Sequence, residues 1–306
     1  MRWMKIKKHP NGNEYIRAGD VWVRNFTKSD GQAVQLEHMF SQNDFEIILK
    51  NQQLNLNYPH VSEEILNFKK IIIVSDGYGF DKSQEILAKL PKDVCILATN
   101  RSLAKWKLFS QKTPPEMRRT INGYIVNNTY RTAMNFLPSN GSNYYPTCIA
   151  SIRTNNEFLK KYLGNIYTYV PTFESNFGSQ TIERYHIDDY RNPICAALGL
   201  AYQFGAKKIM LFCCDGSFKE QHDNAVRLPN NLWTYKPLLR SHEIIEANLW
   251  WLKNLKNDDV IVSDYSSGPK YVNAEYIKSE EEVCSFFADQ SEGVNDEKQT
   301  NVTKGI

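Results

Sequence analysis

Ile71-Ile72-Ile73-Val74 and Ile209-Met210-Leu211-Phe212 are apolar at every position, and each run leads within three residues into an Asp-Gly pair, Asp76-Gly77 and Asp215-Gly216. A strand with one face in water alternates polar and apolar residues. A strand without alternation is covered on both faces, which is the habit of a parallel sheet flanked by helices. In open sheets of that kind the carboxyl ends of the strands open into the crevice where ligands bind. Each Asp is thereby delivered to the place where chemistry collects, and each Gly lets the backbone turn sharply or approach a ligand closely.

The rest of the chain keeps the same rhythm. Strand patterns at 94–99, 123–127, 147–152, 165–170, 207–213 and 259–263 alternate with helical patterns at 81–90, 101–110, 128–136, 154–163, 192–204 and 239–256. Strands separated by helical segments make βαβ units with right-handed crossovers. The expected fold is α/β, a Rossmann-like three-layer, mostly parallel sheet over residues 61–289. Residues 3–27 alternate apolar and polar around the turn signals His9-Pro10-Asn11-Gly12 and Ala18-Gly19-Asp20, which predicts a small antiparallel meander. With the helical spacing of 44–54 it makes an N-terminal appendage over 1–60, and the polar run 290–306 reads as a disordered tail. Two long polar and aromatic segments, 171–191 and 215–238, follow strands and are expected to overhang the crevice.

Composition narrows the partners. A formal charge of +3 over 306 residues gives no electrostatic case for nucleic acid. The start, Met1-Arg2-Trp3-Met4-Lys5-Ile6-Lys7-Lys8, lacks the apolar core of a signal peptide, and no apolar stretch approaches the roughly 20 residues that span a bilayer. Cys95, Cys148, Cys195, Cys213, Cys214 and Cys284 sit mostly inside apolar patterns without zinc spacing. They read as reduced core thiols of a cytoplasmic protein with small-molecule partners.

The strand ends carry the candidate chemistry. Ser75-Asp76-Gly77-Tyr78-Gly79 is a glycine-bearing strand-to-helix turn, which presents backbone N–H groups and a positive helix end to a phosphate. It matches neither Gly-x-Gly-x-x-Gly nor a P-loop. Asn100 and Arg101 end the next strand, Asn128 the third and Arg153 the fourth; as a group they predict a polar crevice that accepts anions, with Arg able to clamp phosphate bidentately. Asn192 before Pro193 reads as a helix cap whose helix end can also face a phosphate. Asp215 has two readings: with Asp76 it holds Mg²⁺ on a substrate diphosphate, or it braces its own loop. His222, on the long loop, is a candidate acid or base.

The strand and turn at 71–80, the polar cluster at 98–103, and Asn192-Pro193-Ile194-Cys195-Ala196-Ala197-Leu198-Gly199-Leu200-Ala201 leading through Gly205-Ala206-Lys207-Lys208 to Asp215 resemble the MptE-like family. That family includes an archaeal 6-hydroxymethyl-7,8-dihydropterin diphosphokinase and the related domain of motility-associated flagellin-glycosylation factors. The resemblance covers about residues 68–255, and the chain departs from it in the first turn, where Ser75-Asp76-Gly77-Tyr78-Gly79-Phe80 replaces the usual Gly-x-Gly-Pro-Ser-Leu. It implies transfer of a diphosphate from ATP to a pterin-like acceptor with Mg²⁺, with Asp215 beside the nucleotide. The same pattern, with Asn100 at the second strand end, also resembles bacterial sialyltransferases that use CMP-activated sugars. A binding module that kept the fold without the chemistry is the third alternative.

Overall fold

The structure, a computed structural model, describes residues 42–99, 102–137, 145–171, 186–187, 189, 191–223, 225–228, 231–254, 260–268 and 270–288, together with the strands at 4–8, 14–18, 21–27 and 33–34. Asn100 and Arg101, most of the 171–191 segment and the 290–306 tail lie outside the described residues.

In chain order the elements begin with β1 (Met4–Lys8), β2 (Glu14–Ala18), β3 (Val21–Thr27) and β4 (Ala33–Val34), which pair antiparallel as the expected meander. Next come α1 (Gln42–Asn55), α2 (Glu63–Leu66), β5 (Lys70–Val74), α3 (Phe80–Lys89), β6 (Cys95–Thr99) and α4 (Ser102–Lys112). They are followed by β7 (Gly123–Val126), β8 (Thr147–Ser151), α5 (Asn156–Lys161), β9 (Ile166–Pro171), β10 (His186–Ile187), α6 (Pro193–Gln203) and β11 (Lys208–Phe212). The last are β12 (Ala225–Arg227), β13 (Trp233–Tyr235), α7 (Lys236–Asn254), β14 (Ile261–Tyr265), β15 (Glu275–Tyr276) and α8 (Glu280–Phe287).

Strands β5 to β11, β14 and β15 form a nine-stranded sheet in the order β10-β9-β8-β7-β6-β5-β11-β14-β15, and every neighbouring pair is parallel. The continuous apolar runs are its centre: β5 and β11 lie side by side, with Ile71–Val74 and Ile209–Phe212 buried. Alternate residues of each strand feed two cores. One, with Ile71, Ile73, Ile209 and Leu211, packs under α6 and α7; the other, with Ile72, Val74, Met210 and Phe212, packs under α3, α4, α5 and α8. The Rossmann-like three-layer expectation holds.

Two local expectations change. The helix expected over 128–136 is a 3₁₀ helix at Arg131–Phe136, and the 215–238 segment folds partly into the antiparallel hairpin β12–β13. Helix α8 was not legible as a separate unit. Its first turn carries Glu280, Glu281 and Glu282 behind the cap Ser279, whose hydroxyl oxygen accepts from Glu282 N at 3.2 Å.

Helix α1 docks on the ends of β7 and β8 through two buried amides. Asn55 Nδ2 donates to the carbonyls of Ile152 (2.8 Å) and Thr154 (2.7 Å), and Asn51 Nδ2 to those of Thr129 and Arg153, both at 3.1 Å. Buried carbonyls need such partners, and here the helix supplies what a strand neighbour does not.

Candidate functional site

The order of the sheet reverses at β5: its crossover through α3 runs one way to β6, while β11 enters on the other side. That is a topological switch point, where the diverging connections leave a crevice above the carboxyl edge. A cavity of about 700 Å³ lies there. Its floor is Ser75 and Asp76 after β5, Thr99 at the end of β6, and Cys214 to Phe218 after β11. Arg191 to Ile194 at the start of α6 form one wall, and Leu238, Ser241, His242 and Ile245 of α7 form another, with Phe136 and Tyr235 completing it. The volume is that of a small-molecule site.

Asp76 and Asp215 both reach this cavity in different states. Asp76 is half-buried, and among the described residues its carboxylate makes no hydrogen bond or ion pair; only its backbone carbonyl accepts, from Lys105 Nζ at 3.4 Å. Asp215 is 3% exposed, and both its oxygens are engaged: Oδ1 accepts from Ser217 N (3.0 Å) and Ser217 Oγ (2.9 Å), and Oδ2 from Gly268 N. The bracing reading of Asp215 describes this arrangement.

The glycines of the first turn serve that brace. Gly77 N donates to Cys213 O at 2.9 Å, and a Cβ on Gly77 would meet Asp215 Oδ1 and lie 2.6 Å from Cys213 O. A Cβ on Gly79 would sit 2.9 Å from Ser267 Oγ. Gly77 leaves room for the two strand-end turns to touch, Gly79 lies against Ser267 after β14, and neither residue lines this cavity. Ser75 does line it.

Arg153 is buried in an ion pair. Its Nη2 donates to both oxygens of Asp189 at 2.8 Å, and the two side chains are 3% and 2% exposed. A phosphate clamp needs that guanidinium face, which the chain's own carboxylate occupies. Tyr169 OH also donates to Asp189 Oδ2 at 2.8 Å. Asn128 is likewise absorbed locally: its Oδ1 accepts from Tyr130 N at 3.0 Å and its Nδ2 donates to Thr132 Oγ1 at 3.3 Å, away from the cavity.

The Asp189 cluster nonetheless shapes the site. Asp189 Oδ1 accepts from Arg191 N at 3.0 Å, and Asp189 O accepts from Asn192 N at 2.6 Å. These bonds hold Arg191 at φ +58°, a left-handed conformation that costs a side-chain-bearing residue about 1 kcal/mol or more. Strain of this kind collects at functional sites. Asn192 caps α6 as expected, its Oδ1 accepting from Ile194 N at 2.8 Å, and Pro193 follows at the first helical position. The positive end of α6 and Arg191 therefore share one wall of the cavity.

His222 is exposed and lies off the cavity lining; its ring packs at 5.3 Å from Phe218 and 6.4 Å from Tyr235. Sequence reasoning passed over Arg191 and His242 as site residues. The signal for His242 is present in the chain. Leu238, Ser241, His242 and Ile245 recur at i, i+3, i+4 and i+7, the stripe a helix gives its core, and Ser-His interrupts it.

One further acid stands behind the site. Asp264, at the end of β14, is fully buried, and Oδ2 accepts from Ser266 Oγ at 3.0 Å while Oδ1 receives no hydrogen bond from a described residue. Burial pushes its carboxyl up to about 7, against the pull of Lys270 and the Ser266 bond and with a small push from Asp215.

The magnesium implied by the resemblance meets a poor donor set. Among the described residues no group of three or more His, Cys, Asp or Glu side chains converges on a metal-sized space, and Asp215 spends its oxygens on Ser217 and Gly268. Of the two carboxylates expected to hold the ion on a substrate diphosphate, Asp76 alone makes no hydrogen bond or ion pair among the described residues, and no step is routed through a metal. Among the described residues no helix is long and apolar enough to cross a membrane.

Comparison with known proteins supports the fold. No family model matches the chain, and no curated protein matches it. A solved MAf glycosyltransferase from Magnetospirillum magneticum AMB-1 is similar in structure, with a TM-score of 0.59 and 13% sequence identity. The match covers 80% of this chain and 39% of that one, so this chain spans well under half of that protein. At this identity the likeness is one of fold.

Proposed function

We propose that the protein is a glycosyltransferase that takes a nucleotide-activated sugar in the cavity above β5 and β11. The observation that carries the reading is that Asp76, whose carboxylate no described residue engages, shares one cavity at the switch point with the positive end of α6 and Arg191. The former suits an acceptor hydroxyl and the latter a departing phosphate. The fold shared with a protein described as a glycosyltransferase supports it.

Charge favours a donor with a single phosphate. Arg191 is the only Lys or Arg among the described lining residues. A triphosphate asks for several cations, whereas one helix end and one guanidinium match one phosphate group. A CMP-linked sugar is therefore preferred to ATP. In this reading Asp76 accepts the proton of the acceptor hydroxyl as its oxygen attacks the anomeric carbon, and Arg191 with α6 stabilises the charge left on the phosphate.

A thermal-shift comparison tests the reading, with CMP and with ATP, each with and without Mg²⁺, because a ligand that binds only the folded state raises its stability by mass action. A shift with CMP that needs no metal is expected. A shift with ATP that requires Mg²⁺, and none with CMP, would replace this proposal by diphosphate transfer.

A further inference from the structure

We propose that a second cavity on the carboxyl edge, between the ends of β11, β14 and β15 on the α3 and α8 side of the sheet, is a separate anion site that takes a phosphate group. The inference does not rest on the glycosyltransferase reading, because this cavity shares no described lining residue with the one above β5 and β11.

Charge is the first argument. The cavity measures about 380 Å³, and Lys270 and Lys278 line it, with no Asp or Glu among its described lining residues. The other cavity has Asp76 and Asp215 beside Arg191. Two like charges brought to one concave surface repel each other, and its low-dielectric walls focus their field on whatever enters. Lys270 is held in place: its Nζ donates to Ser266 O and lies 5.2 Å from the centre of the Tyr276 ring. An ammonium has three N–H groups, so donors remain for a ligand. The Nζ of Lys278 makes no hydrogen bond or ion pair with a described residue, and Glu282 engages the Lys278 backbone N–H instead, at 2.8 Å.

A preformed floor is the second. Tyr265 stacks on Phe212 with centroids 5.2 Å apart and planes 16° from parallel, and its hydroxyl lies 3.2 Å from Ser83 Oγ. Cys213 beside it holds φ at +53°, the same left-handed strain that Arg191 carries in the other cavity. Such strain collects at functional sites. Ser266 and Ser267 add two hydroxyls to the lining.

Asp264, behind this wall, ties the site to pH. It does not line the cavity, but its Oδ2 accepts from Ser266 Oγ at 3.0 Å and its Oδ1 receives no hydrogen bond from a described residue. Ionised, Asp264 takes the Ser266 proton and opposes an anion by its charge. Protonated, it donates to Ser266 Oγ instead, which frees the Ser266 O–H for a ligand and removes the opposing charge. Burial pushes this carboxyl up to about 7, so anion affinity rises as pH falls through that value. The groups that face Asp264 are Ser266 and Lys270 on its own loop, Asp215, Cys213 and Cys214 after β11, and Tyr271 and Tyr276. From α7, His242 stacks on Tyr271 and Glu246 acts on Tyr276.

The test measures binding of sulfate, inorganic phosphate and glucose 6-phosphate to the full chain by calorimetry, at constant ionic strength set with sodium chloride. Sulfate does not titrate over the range and carries the pH series. Lys270→Gln and Lys278→Gln should each weaken sulfate about tenfold, the loss of one charge-assisted bond. Arg191→Gln, which removes the cation of the other cavity, should leave sulfate binding unchanged. The parent should bind sulfate about tenfold more tightly at about pH 5.5 than at about pH 8.5, and Asp264→Asn should keep the tighter value throughout. Tighter binding of glucose 6-phosphate than of phosphate would support the site and assign it to a phosphorylated metabolite; the reverse would support it as a site for the free ion. Binding no stronger than that of chloride, or binding lost in Arg191→Gln and kept in both lysine variants, would overturn the site. A sulfate affinity that does not change with pH would overturn the part given to Asp264. CMP binding is read separately, so failure of this site and failure of the nucleotide-sugar reading are distinct results.

Discussion

The turn after β5 and the turn after β11 carry the same dipeptide, Asp-Gly, at the ends of adjacent parallel strands, yet they do opposite work. After β11 the Asp is the brace, buried and accepting from Ser217 and Gly268, and its Gly216 supplies a left-handed φ of +60°. After β5 the Asp lines the cavity with a carboxylate that no described residue engages, and its Gly77 supplies space instead of an unusual angle. One turn holds the other in place. The difference teaches that an acidic residue at a strand end becomes chemistry or structure according to which donors its neighbours aim at it.

Substitutions at the two turns should separate these roles. The largest effect is expected at Asp215: Asp215→Ala strands the Ser217 and Gly268 donors, and with charge-assisted bonds at stake should cost about 3 kcal/mol or more of stability in urea denaturation. Asp76→Ala should stay within about 0.5 kcal/mol of the parent in the same measurement, while Asp76→Asn lowers CMP-sugar turnover by about 10²-fold. Equal stability losses at the two aspartates would dissolve the comparison.

Next in size is Gly77→Ala. It drives a methyl into Asp215 and the Cys213 carbonyl, at a cost of about 2–3 kcal/mol. Gly216→Ala, whose Cβ would come no nearer than 3.4 Å to its nearest neighbour, Leu238, is destabilised chiefly through its φ, by about 1 kcal/mol. Reversal of that order in paired melts would mean that the turns do not touch as described.

Asp264 sharpens the picture of the braced side through pH. Its folded-state carboxyl titrates near 7, above the ordinary 3.8, so the folded chain holds this proton more tightly than the unfolded one. The stability it contributes is fully present below about pH 4 and is lost as pH rises through about 7. Asp264→Asn should remove a loss of about 2–3 kcal/mol between pH 5 and pH 8, and a variant with the parent's pH slope would contradict the assignment. An effect as small as that of Asp76→Ala is expected at His222: on its exposed loop, His222→Gln should change stability by less than about 0.5 kcal/mol. A larger loss in the same melts would tie that loop to the cavity wall.

Local pattern was enough for the parallel α/β sheet. Unbroken apolar runs such as Ile71–Val74 and Ile209–Phe212 demand cover on both faces, and helical periodicity between them supplies it. The Asn192-Pro193 cap was also legible, because a cap acts on a backbone N–H two residues away. What the strand-end residues do was decided only in three dimensions. Arg153 meets Asp189 36 residues on, Asn55 reaches Thr154 99 residues on, and Asp215 is met by Gly268 53 residues on. No periodicity announces such pairings, since they depend on which segments the sheet order brings together. The sequence placed polar groups at the carboxyl edge; tertiary structure buried Arg153 against Asp189 and Asp215 against Ser217 and Gly268, and set Asp76 on the cavity, because a buried polar group must find its partner among whatever the fold has set beside it.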